Sequence, residues 1–147
     1  MSKANIVIGT IGSDSHMIGG WVLTRAFREA GFGVSFLGAV VPQSEFVDAA
    51  IETNAAAILV SSMYGMGLLD CEGLRDRCVE AGLKSIILYA GGTVAAPLEL
   101  EKNWGEIERR FEAIGFNRVF PNTVTASQVI EILQSDLGLS EIPIATV

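Results

Sequence analysis

Two kinds of hydrophobic pattern alternate along the chain. Asn5–Ile11, Val34–Leu37, Ala56–Val60, Ser85–Ala90 and Arg118–Phe120 are short apolar runs without polar alternation. Such runs suit strands covered on both faces, as in a parallel sheet. Between them the apolar positions recur at helical spacing. Ile18, Val22, Ala26 and Ala30, flanked by Leu23 and Phe27, form one stripe that ends at Gly31. Phe46, Val47, Ala50 and Ile51 form the next, entered after Pro42 and closed by Asn54. A third runs from Asp70, read as an N-cap, through Cys71, Leu74 and Cys78 to Gly82. Trp104, Ile107, Phe111 and Ile114 make a fourth, stopped by Gly115, and Val129, Ile132 and Leu133 a fifth. Asn103 with Glu106, and Thr125 with Gln128, have the spacing of capping boxes. Val94–Lys102 shows no period, nor does the tail with Pro143.

Strands alternating one for one with helices predict an α/β fold. The expected form is a Rossmann-like (flavodoxin-like), doubly wound, five-stranded parallel sheet of strand order 2-1-3-4-5. Its ligand crevice then lies beyond the carboxyl ends of the first and third strands. One domain is expected over residues 1–137, with 138–147 as a tail lying along the surface or against a partner. At 147 residues and 50% hydrophobic content, the chain can bury a core without staples.

Charge and cysteine usage narrow the partners. A net charge of -7, with no clustered Lys/Arg stripe, argues against nucleic acid and anionic membrane surfaces. No apolar stretch is long enough to span a bilayer and none reads as a signal peptide, so a cytoplasmic address is expected. Cys71 and Cys78 share the apolar stripe of one helix, which reads as two buried free thiols.

The chemistry concentrates in three loops that follow strands. The first, Gly12 to Gly20, holds the chain's one histidine, His16, two residues after Asp14. A carboxylate at that spacing can hold one imidazole nitrogen while the other faces outward as metal ligand or base. Taken alone, the pair is equally a helix cap beside a surface histidine. The second loop opens with Ser61-Ser62-Met63 and the third with Gly91-Gly92-Thr93, and each by itself could simply end a strand. No Walker loop and no G-x-G-x-x-G opens the first helix. A tetrahedral zinc site lacks ligands, since the cysteines sit on a core stripe. A receiver-domain reading fails because Ser61-Ser62 stands where an acidic residue is needed.

Taken together, Asp14-x-His16-x-x-Gly19, Ser61-x-Met63 and Gly91-Gly92 resemble the D-x-H-x-x-G, S-x-L, G-G signature of the cobalamin-binding domain family. The resemblance covers nearly the whole chain. It is nearest to the small subunits of glutamate mutases, through Val60–Gly65, Cys71–Arg75 and Ala81–Lys84. Met63 departs from the usual Leu, Val94–Lys102 is longer than in those relatives, and Asn122-Thr123-Val124-Thr125 replaces a Gly-Thr pair after Pro121.

The resemblance implies adenosylcobalamin bound with its own base displaced from cobalt. His16 would be the axial ligand to the metal and Asp14 its orienter. The nucleotide tail would run in a slot between sheet and helix. Cofactor contacts would come from Ser13, Asp14, Ser15, His16, Met17 and Gly19 in the first loop. Ser61, Ser62 and Met63 would contribute from the second, and Gly91, Gly92, Thr93, Val94 and Ala95 from the third. It further implies a subunit of a carbon-skeleton mutase that interconverts L-glutamate and threo-3-methylaspartate by a radical mechanism. Such a subunit works in a hetero-oligomer with a large barrel-type subunit that carries the substrate, and is inactive alone. The alternative is a corrinoid carrier or sensor for methyl transfer or signalling. Those relatives carry a helical cap ahead of the domain, whereas this chain reaches its first strand at Asn5.

Overall fold

A computed structural model describes residues 3–11, 18–62, 67–92, 104–121 and 123–139. Along it run β1 (Asn5–Thr10), α1 (Ile18–Glu29), β2 (Gly33–Phe36), α2 (Gln43–Thr53) and β3 (Ala57–Ser62). There follow α3 (Gly67–Cys71), α4 (Leu74–Glu80), β4 (Ile87–Gly92), α5 (Trp104–Ala113), β5 (Arg118–Phe120) and α6 (Ala126–Asp136). The sheet has the order β2-β1-β3-β4-β5 with every pair parallel, as the alternation predicts.

Strand alternation sorts the core into two layers. Val7, Ile58, Val60, Leu88 and Ala90 meet Phe46 of α2, Leu74 and Cys78 of α4, and Ile107 and Phe111 of α5. Ile6, Ile8, Leu59, Tyr89 and Phe120 meet Phe27 of α1 with Val129 and Leu133 of α6. Each fully buried Leu, Ile or Phe contributes about 1.5–3 kcal/mol. Leu137 and Leu139, beyond α6, still pack on the second layer.

The local signals hold at several ends. Asn54 closes α2 in the left-handed region at φ 51. Thr125 and Gln128 form the reciprocal capping box, with Gln128 N–H donating to Thr125 Oγ1 at 3.2 Å and Thr125 N–H to Gln128 Oε1 at 2.9 Å. Gly115 ends the α5 segment at φ 97. Cys71 and Cys78 are free and buried, and burial pushes both thiols up, which keeps them neutral. The Asn103 cap and the 94–102 segment lie outside the described residues.

Three expectations need correction. The third helix is two: α3 ends at Cys71, Gly73 takes φ 89, and Asp70 sits inside α3 rather than capping it. Gln43 accommodates this break, its Nε2 donating to the Asp70 and Glu72 carbonyls at 2.8 and 2.7 Å while Oε1 accepts from Arg77 Nε at 3.0 Å. Ile51 is 51% exposed, because a helical step beyond buried Ala50 carries it round to solvent. Val22 is 56% exposed, and the buried side of α1 runs through Thr24 and Phe27 instead. Val22 faces a cleft, not the core.

Candidate functional site

The register of the sheet aligns the ends of its strands. Thr10 pairs with Ser61, Ser61 with Gly91, and Gly91 with Phe120, forming one row near the carboxyl edge. Ser62 and Gly92 are partners one step further along. The second and third motifs are therefore adjacent in space, and the chain enters the first motif from β1 directly beside them. Gly19 lies in the first turn of α1. Ser13, Asp14, Ser15, His16, Met17, Met63, Thr93, Val94 and Ala95 lie outside the described residues.

Beneath this edge opens a cleft of about 360 Å³ between the sheet and the pair α1 and α6. Leu59 and Ser61 of β3 and Tyr89 and Gly91 of β4 form its floor. Val22 and Leu23 wall one side, while Phe120, Pro121, Val124, Ala126 and Val129 wall the other. Gly91 presents no side chain to it. A Cβ built there would have Phe120 Cβ and O at 3.8 Å, ordinary contact, so the fold itself leaves room that glycine keeps open. Gly92 has φ 90, a conformation that other residues rarely adopt. The lining is apolar, with Ser61 the polar side chain at its upper end. It suits a flat, uncharged group on a polar tether, which is the chemistry of a nucleotide tail ending in a benzimidazole.

Alternation along β3 puts Ser61 on the cleft side with Leu59, and Ser62 on the opposite side with Val60. Ser62 is 1% exposed, yet its Oγ has no hydrogen-bond partner among the described residues, and Thr24 Oγ1 on α1 is in the same position. Buried hydroxyls are seldom left so, and those that are call for an explanation.

The deep end of the cleft is closed by a polar group of three. Tyr89, 1% exposed and packed edge-on against Phe120 at 5.2 Å, donates its hydroxyl hydrogen to Asp136 Oδ2. Arg118 Nε and Nη2 donate to Asp136 Oδ2 and Oδ1 at 2.7 and 2.9 Å. The guanidinium holds the Asp136 carboxyl below the usual carboxylate range. Burial, then the bond to Asp136, pushes the Tyr89 phenol up, and the carboxylate makes Arg118 hold its proton more tightly. At neutral pH the group is a neutral phenol, a carboxylate and a guanidinium that tie β4, β5 and α6 together.

The motifs mark only the rim of this cleft. The walls from Val22, Val124, Ala126 and Val129 and the Tyr89 closure are not evident from spacing. The one available signal is that Val124 falls where the sequence departs from its relatives, in the stretch after Pro121. Among the described residues no three His, Cys, Asp or Glu side chains gather to hold a metal ion, and no helix is long and apolar enough to cross a membrane.

Comparison with known proteins bears on the same residues. The family described as B12 binding domain matches residues 4–115. The glutamate mutase sigma subunit of Carboxydothermus hydrogenoformans is 47% identical over 95% of this chain and 99% of its own length. That of Clostridium tetanomorphum is 45% identical over the same shares. A crystal structure of a cobalamin-binding protein from Desulfitobacterium hafniense DCB-2 superposes with a TM-score of 0.69 at 27% identity. It covers 90% of this chain, which spans 58% of that longer one.

Proposed function

This chain belongs to the B12 binding domain family and, within it, to the glutamate mutase sigma subunits, and we propose that it is the cobalamin-binding subunit of that enzyme. The single structural observation that carries the reading is the apolar cleft opening beneath the register row Thr10–Ser61–Gly91. It offers a nucleotide tail a slot at the edge where the first motif leaves the sheet.

In this reading the chain binds adenosylcobalamin and joins a large barrel-type subunit that carries the substrate. The hetero-oligomer interconverts L-glutamate and threo-3-methylaspartate in the cytoplasm. The coenzyme, when bound, supplies a cobalt–carbon bond that breaks homolytically, the source of the radical chemistry. The chain's own residues ligate, orient and exclude water. Asp14 would accept the hydrogen of one His16 ring nitrogen, which would fix the tautomer and raise the basicity of the nitrogen that His16 would offer to cobalt. Ser13, Ser15, Met17 and Gly19 would contribute cofactor contacts beside that ligand. Ser61 would give a hydroxyl to the polar part of the tail, and Ser62 would offer its own, unpartnered among the described residues, one step further along β3 and on the other face of the sheet. Met63, Thr93, Val94 and Ala95 would add cofactor contacts, with Gly91 and Gly92 keeping the tail's path clear. Residues 1–137 would be the binding domain, and 138–147 a tail lying along the surface or against the partner.

The test is an electron paramagnetic resonance spectrum of cob(II)alamin bound to the chain, with the large subunit present. Only this chain carries nitrogen-15 histidine. A change of axial nitrogen splitting with the label is expected, and His16 is then the ligand because the chain has one histidine. Saturable binding without that change would remove the central residue of the mutase reading and favour a carrier.

A further inference from the structure

On the other side of β1 from the cleft stands a residue that the chain's own packing does not explain. Val40, between β2 and α2, has φ 57. Glycine adopts that conformation freely, whereas a β-branched side chain is crowded in it. The side chain is 54% exposed, so no burial offsets the strain. The loop is nonetheless fastened. Leu37 N–H donates to Ile8 O and Thr10 N–H to Gly38 O, both at 2.8 Å, and Val41 N–H donates to Thr10 O at 3.0 Å. Ile11 and Val41 form a further parallel bridge. These bonds hold Val41 level with Ile11, the residue before the loop that carries Asp14 and His16, and so fix Val40 next to it. Nearby on the same flank, Trp21 is half exposed and its ring lies 5.8 Å from that of Phe36 at the end of β2. An apolar side chain held in a strained conformation and offered to solvent at a binding edge fits a contact made with a ligand.

We propose that Val40 binds the corrin macrocycle, its isopropyl group packing against the ring on the β2 side of β1, opposite the tail slot. The proposal rests on the cobalamin reading above. Adjacent strands lie about 4.8 Å apart, so a flat macrocycle seated over the loop after β1 extends above the ends of both neighbours, β2 and β3. The cleft serves the β3 side. Val40 is the apolar support on the β2 side, and its strain is the cost of presenting that support.

Four proteins test this: the native chain, Val40→Gly, Val40→Ala and Val40→Leu. Each is melted without cofactor and titrated with cob(II)alamin, read by visible absorbance and tryptophan fluorescence. Its association with the large subunit is also measured without cobalamin. Val40→Gly should melt about 2 °C higher, since the strain is gone, yet bind cob(II)alamin about tenfold more weakly for want of two methyl contacts. Val40→Ala keeps the strained conformation and loses the methyls, so it should bind weakly without the gain in melting temperature. Val40→Leu should retain affinity. If the glycine and alanine variants bind as tightly as the native chain, the assignment falls and the cobalamin reading stands. If they bind cob(II)alamin normally and associate poorly with the large subunit, Val40 is a protein contact instead. If the native chain binds no cobalamin even with the large subunit, both readings fall together.

Discussion

At the amino edge of the sheet Arg75 meets four acceptors, whereas at the carboxyl edge Ser62 Oγ, buried to 1% exposure, meets none among the described residues. Arg75 Nε donates to Gly115 O at 2.9 Å, and Nη1 donates to Ile86 O at 2.7 Å and Lys84 O at 3.3 Å. Its Nη2 donates to Asn117 Oδ1 at 2.9 Å, an oxygen that also accepts from Leu88 N–H. Asn5 adds a bond to Thr53 O at 2.8 Å. The turns entering β4 and β5 are thus stitched by side chains. The opposite edge has glycines, an apolar cleft, a strained valine and, among the described residues, an unpartnered serine hydroxyl. One sheet carries both: the amino edge directs its polar groups to closure, and the carboxyl edge leaves the Ser62 hydroxyl without a partner among the described residues.

The contrast breaks most visibly at its glycines. Gly115 has φ 97, and a Cβ there would sit 2.5 Å from Arg75 Cβ. Gly115→Ala should cost about 3 kcal/mol or more in urea unfolding, while the folded fraction keeps its cobalamin affinity. Arg75→Met strips the same turns of their donor and leaves part-buried carbonyls unpaired, an expected loss of about 2–3 kcal/mol by the same assay, again without effect on affinity. A large affinity change in either variant would show that the two edges are coupled.

Asp136→Asn comes next, at about 1–2 kcal/mol, through the weakened bonds to Arg118 and Tyr89. Because the folded Asp136 carboxyl is held low, chiefly by Arg118, its contribution is present above the unfolded value of about 3.9 and is lost as pH falls through the folded value. The Asn variant should therefore show a flatter stability curve below about pH 4 in acid titration followed by circular dichroism. Gly91→Ala is the mildest and the most telling of these. Its Cβ meets only ordinary contacts, so stability should move by less than about 0.5 kcal/mol. Cobalamin affinity should nonetheless fall about fivefold, or ~1 kcal/mol, because the methyl group narrows the tail's path. Unchanged affinity in that variant would mean that the tail does not pass over β4.

How much of this could be read in the sequence follows from the range of each interaction. Strand order, the Thr125–Gln128 box, the Asn54 end and the buried thiols were legible, because hydrophobic period and capping act over a few residues. The split at Gly73 was not, since it depends on Gln43 reaching from another helix. Val22 misled the reading of α1 because an apolar residue facing a cleft has the same period as one facing a core. The Arg75 stitching and the Tyr89–Asp136–Arg118 group join residues distant in sequence, and polar side chains carry no periodic trace of such partners. For the site, spacing located Ser61, Ser62, Gly91 and Gly92 at one edge, while the cleft walls emerged only when α1 and α6 were set against the sheet.

The attachment of α6 has a mechanical consequence. At its far end, Asp136 is tied to Arg118 of β5 and Tyr89 of β4, whereas Thr125 at the near end bonds, among the described residues, within its own first turn. The helix is thus anchored by side-chain bonds at the base of the cleft. Any tilt of α6 about that anchor would move Ala126 the most and the residues beside Asp136 the least, with Val129 and Leu133, packed in the core between them, resisting it.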